Sequence, residues 1–132
     1  MSIPVDIDRL DEALADFGSG YVMTITPENT VKALTVDPLV RGRLVVVTAA
    51  SRGTAANLAT NDAITIVMPP TQHHGYTLII DGSGVPDGDQ VLVTPTSAVL
   101  HRPSHHADGP PPPAAANVPA SSSNCGQDCR RL

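Results

Sequence analysis

Ser51, Arg52 and Thr54 fall within "SRGTAANL", residues 51–58, between the apolar runs "LVVV" (44–47) and "AITIVM" (63–68). Two hydroxyls, a permanently charged guanidinium and a glycine stand directly before small helix-forming residues. The chemistry this pattern offers is anion binding. A helix start presents unpaired N–H groups and the positive end of a dipole, and an arginine adds a fork of two donors. Gly53 lets the backbone approach a ligand closely. The same residues also support a plainer reading, in which Ser51 or Thr54 caps the helix and Arg52 is a solvated surface residue.

Other residue types capable of chemistry are more weakly patterned. Cys125 and Cys129 make a C-x3-C near the C-terminus. That is half of a metal site at best, and no structural metal is expected there. His73 and His74 are neighbours, so on a strand they would point to opposite faces and only one could reach a given pocket. His101 is read as a cationic or hydrogen-bonding residue near a helix C-terminus. Asp81, Asp87 and Asp89 surround a hairpin and read as turn chemistry, without the spacing of a calcium loop. No nucleophile elbow, phosphate-binding Walker loop or zinc-protease motif is present.

The elements that must carry these residues follow from periodicity. In "DIDRLDEALADFG", Ile7, Leu10, Leu14 and Phe17 share one helical face, with acids in the first turn and Gly18 at the stop. Then come β-branched runs at 21–26, 31–36 and 43–49, separated by "PEN" and "DPLVRG", and a short helix over 54–60. Strands follow at 63–68, 75–85 and 89–95, the last two joined across "PDG". "TSAVLHR", residues 96–102, is predicted to close the domain as a short helix. Six strands with runs apolar on both faces suggest a small closed or half-closed barrel carrying a second buried surface, which a second copy of the chain would cover.

Composition narrows the function classes. The formal charge is −5, and residues 103–132 contribute none of it, since Asp108 and Asp128 balance Arg130 and Arg131. Phe17, Tyr21 and Tyr76 are the only aromatics. A nucleic-acid binder needs a dense basic surface and stacking rings, so that class is set aside. No run of about 18 apolar residues occurs, and the acidic N-terminus lacks the pattern of a signal peptide. The expectation is a cytoplasmic protein without a membrane partner. Residues 1–102 are expected to form the domain, and 103–132, with four consecutive prolines and almost no large apolar residues, a disordered or surface-draped tail dispensable for folding.

On "VVVTAASRGTAANLATNDAITIVM" and on "GYTLIIDGSGVPDGDQVLVTPTSAVLHRP", the chain resembles the pyridoxamine 5′-phosphate oxidase-like split β-barrel proteins, in particular actinobacterial members. The resemblance spans roughly residues 8–102. It implies a mainly β fold with short helices, a six-stranded antiparallel split β-barrel, and a homodimer binding FMN or a deazaflavin at the dimer interface. Carried onto this chain, the cofactor-binding positions are Thr48, Ser51, Arg52 and Thr54. One departure stands out: the lysine the family usually has after Arg52 is Gly53 here.

Three functions compete. The first is a flavin (FMN) or deazaflavin-dependent oxidoreductase acting on a small-molecule substrate. The second is a non-enzymatic flavin or haem binding protein, and the third a cofactor-free dimeric scaffold. With Lys32 as the only lysine and few aromatics, the substrate pyridoxamine phosphate itself is not expected.

Overall fold

The computed structural model describes residues 1–48 and 51–117. Eight antiparallel strands form one sheet: β1 (Ser2–Pro4), β2 (Gly20–Ile25), β3 (Val31–Val36), β4 (Leu39–Arg41), β5 (Leu44–Val47), β6 (Ala63–Met68), β7 (Thr77–Asp87) and β8 (Gln90–His101). Their order is β3-β2-β6-β7-β8-β5-β4, with β1 on the far half of β8. Two short helices accompany them, α1 (Leu10–Leu14) and α2 (Arg52–Thr60).

The mainly β class with short helices is as the sequence indicates, but the six-stranded split barrel is not what forms. The sheet has eight strands and does not close: β3 and β4 end it without pairing to each other. Two of the added strands are three-residue pieces, β1 at the N-terminus and β4 inside "DPLVRG". There Gly42, at φ +64°, turns the chain so that Arg41 pairs with Leu44.

The helix expected over 96–102 is instead the second half of β8. Residues 97–101 pair with β7 on one side, and Val99–His101 also pair with β1 on the other. Ladder partners on both sides outweigh the weak helix signal of seven residues. His101 therefore lies on a strand, exposed, with Nδ1 3.2 Å from Ser2 Oγ. β7 and β8 meet through the expected hairpin, with Gly88 at φ +64°. A register shift at Asp81/Gly82 kinks the long pair. There a Cβ on Gly82 would sit 2.2 Å from the Thr94 carbonyl oxygen.

The core lies on one face of the sheet. Val22, Ile66, Leu78, Ile80, Val91, Val93 and Leu100 are almost wholly buried, joined by Leu10 and Ala13 from α1. Leu58 brings α2 onto the core, and Asn57 Nδ2 donates to Thr24 Oγ1 at 3.1 Å in the buried seam beneath that helix. The opposite face of β2, β3 and β6 is apolar yet open: Tyr21 is 44% and Val31 65% exposed, with Met23, Ile25 and Val67 between them.

Residues 103–117, the first part of the expected tail, fold back as a strap. Ala115 is 1% exposed, Val5 and Ala116 form a bridge, and Asn117 N donates to Pro4 O at 2.7 Å. Cys125 and Cys129 lie outside the described residues. Among those described, no helix is long and apolar enough to cross a membrane.

Candidate functional site

Ser51 has extended backbone angles and caps α2. Its Oγ accepts from Thr54 N at 3.1 Å and lies 3.1 Å from Thr54 Oγ1. The cap role read from sequence is thus present, and it consumes part of the hydroxyl chemistry. Thr54 is 1% exposed, so its hydroxyl serves the cap from below the surface. Arg52, the first residue of α2, is exposed and forms no ion pair among the described residues. Thr48 is exposed just beyond β5.

The structure adds a residue the sequence reading missed. Gly53 faces Lys32 of β3: a Cβ built on Gly53 would stand 2.9 Å from Lys32 Cε and 3.3 Å from Lys32 Nζ. The chain's one lysine therefore lies over the first turn of α2, in the space a side chain at position 53 would use. The sequence held only a faint signal, a solitary lysine alternating with apolar residues on a strand.

The site thus combines a capped helix start that begins with the exposed Arg52 and the Lys32 ammonium that lies over it. Its net charge is positive in a chain that is negative overall, which suits an anionic group approaching at close range, where contacts outweigh screened distant charge. A phosphate fits this donor set. Ser51→Ala removes the cap and is expected to cost about 1 kcal/mol of stability. Thermal unfolding followed by circular dichroism checks this, and an unchanged midpoint would show that the cap carries no weight.

The other candidates separate. Asp81 accepts from Thr65 Oγ1 at 2.6 Å beside the β7 bulge, and Asp87 and Asp89 flank the hairpin turn. All three are exposed and none reaches α2. His73 and His74 lie in the loop after β6, away from this site, and gather with His105 and His106. Among the described residues no group of three or more histidines, cysteines or carboxylates is placed to hold a metal ion.

No family model matches the chain. It is 32% identical over 141 residues to the uncharacterised proteins Mb0449c of Mycobacterium bovis and MT0457 of Mycobacterium tuberculosis, covering 95% of this chain and 92% of each relative. Among solved structures, an FAD binding protein from Mycobacterium smegmatis aligns with a TM-score of 0.55 at 20% identity, over 77% of this chain and all of that one. An F420 reductase aligns at 0.55 and 16% identity, over 67% of this chain and 94% of that one. A Listeria innocua protein assigned as a pyridoxamine 5′-phosphate oxidase aligns at 0.58 and 10% identity, over 71% and 96%. The chain shares its fold with these three solved structures, here as an open eight-stranded sheet.

Proposed function

The chain belongs to one family with the mycobacterial proteins Mb0449c and MT0457, and from its fold and the donors at the start of α2 we propose that it binds the phosphate of a flavin-type cofactor, FMN or a deazaflavin, there. The observation that carries this reading is that Lys32 lies over the first turn of a capped helix whose first two residues are Arg52 and Gly53. Arg52 and Lys32 contact the phosphate, Ser51 holds the loop, Thr54 positions Ser51 from beneath, and Thr48 stands at the rim. Lys32 takes over from another strand the charge that the resembling proteins carry after Arg52. Bound there, the flavin ring supplies hydride chemistry, and the protein supplies placement and electrostatics for a small-molecule substrate. That makes the chain a candidate oxidoreductase.

The reading includes a homodimer. The open apolar face of β2, β3 and β6, with Tyr21, Met23, Val31 and Val67, is the surface a second copy covers, since a contiguous apolar patch of this kind is costly to leave in water.

Titration of the purified protein with FMN and with a deazaflavin, followed by cofactor fluorescence, tests the site. Lys32→Ala is expected to weaken binding about tenfold, the size of one charge-assisted contact. Gly53→Lys alone must push the flexible end of Lys32 aside and is expected to gain little. In the Lys32→Ala background the same change is expected to restore affinity, because it returns a lysine to the vacated space. If the wild type binds neither cofactor, the loop is a helix cap only and the scaffold reading takes its place. Turnover of the bound cofactor with NADPH then separates an enzyme from a carrier.

A further inference from the structure

Four histidines join two segments that are distant in sequence. His73 and His74 of the loop after β6 stack with ring centroids 3.8 Å apart, and His74 stacks on His106 at 4.1 Å. His105 meets His106 edge-on at 4.4 Å. His105 and His106 belong to a 3-10 turn, Ser104–His106, at the start of the strap. His74 holds a left-handed backbone, φ +60°, that non-glycine residues seldom adopt.

Two fixed charges face this stack. Asp108 Oδ1 lies 3.1 Å from His74 Nδ1, on the surface. Beneath lies the Arg102 guanidinium, 5% exposed, which donates to the carbonyls of His74 (3.1 Å), Pro110 (3.2 Å) and Ala107 (3.4 Å) and rests 4.2 Å over the Tyr76 ring. With neutral imidazoles the group carries no net charge, one arginine against one aspartate. With protonated imidazoles it is strongly positive, and Asp108 can offset only one of the new charges.

The two clasped segments are also two walls of one cavity. It measures about 370 Å³ and is lined by Phe17, Gln72, Gly75 and Tyr76 on one side and the Pro110–Pro113 run on the other. Separating the walls would open it.

We propose that the histidine stack is a pH-responsive clasp, which holds the strap against the loop after β6 at neutral pH and releases it, opening the cavity, when the imidazoles protonate. His106 supports the direction. Its pKa lies below the ordinary histidine value, first because burial disfavours its charged form and then because His74, His105, His73 and Arg102 repel it. A histidine lowered in the closed state binds its proton better in the open one. The closed state therefore has its full advantage above about pH 6.5 and loses it as the pH falls below that value. Asp108 is held below the usual carboxylate range, chiefly by its hydrogen bond with His74, so it stays ionised through that window.

Hydrogen–deuterium exchange of the full chain at pH 7.5 and pH 5.5, corrected for the intrinsic rate, tests the clasp. The amides of His106, Gly109 and Gly75, which donate locally to Pro103, His106 and Gln72, are expected to exchange about tenfold faster at pH 5.5, while β7 and β8 keep their protection. In the doubly substituted His74→Asn, His106→Asn chain, which removes the stacked pair that joins the two segments, most of this pH response is expected to disappear. Equal protection at both pH values would overturn the proposal. So would an undiminished response in the double variant, or acceleration that includes β7 and β8 equally.

Discussion

Truncation after Arg102 is expected to lower the melting temperature by roughly 10–20 °C, the largest stability effect of any change considered for this protein. The strap does two jobs for the sheet. Its Ala115 seals the N-terminal edge, where Asp6 N donates to Ala115 O and Asn117 N to Pro4 O. It also supplies two of the three carbonyls that satisfy the buried Arg102 guanidinium, whose Nε already has no partner. Removing the strap takes away both the cover of this guanidinium and two of its acceptors, at a cost of about 3 kcal/mol. Arg102→Ala in the truncated chain should recover part of that loss, since without the charge the missing carbonyls matter less. The two changes together are thus expected to fall short of their sum. A truncated chain that melts within about 2 °C of the full one, on the scale set by a fraction of a kcal/mol, would show that the strap is only draped on the surface.

Arg52→Ala is expected to weaken FMN or deazaflavin binding by about 2–4 kcal/mol, some thirtyfold to a thousandfold, while leaving the fold intact. The side chain is exposed and bonds to nothing in the described structure, so its removal leaves no buried group unpaired. Its effect should therefore appear in binding alone, unlike Ser51→Ala, which acts through the cap. Arg52→Lys separates the contributions: it keeps the charge but loses the planar fork, and should recover only part of the affinity if the phosphate is held by two parallel bonds. Calorimetry with unchanged thermal midpoints is the required control. Equal affinity of wild type and Arg52→Ala would remove the arginine from the site and leave Lys32 without its partner in charge.

What the sequence determined by itself is local. The cap of α2 was legible because a serine three residues before a threonine amide, followed by small helix formers, satisfies the helix start using only its own neighbours. The β7–β8 hairpin was legible because a glycine in "PDG" accepts the left-handed conformation the turn demands. The two-faced apolar runs were likewise visible, and they mark both the buried face and the open face of β2 and β6. What only the tertiary structure decided depends on partners remote in the chain. Residues 96–101 became strand because β1, some hundred residues away, and β7 both offered them ladders. The sheet ends at β3 and β4, which do not pair with each other, and nothing local in either run announces that. Lys32 came to lie over Gly53 because β3 passes the start of α2, a juxtaposition no spacing in the sequence encodes. The prolines from Pro110 onward leave no ladder or helix to guide the strap, so its path is set by remote partners: the buried Arg102 guanidinium, the stack with His74 and the bridge of Ala116 with Val5.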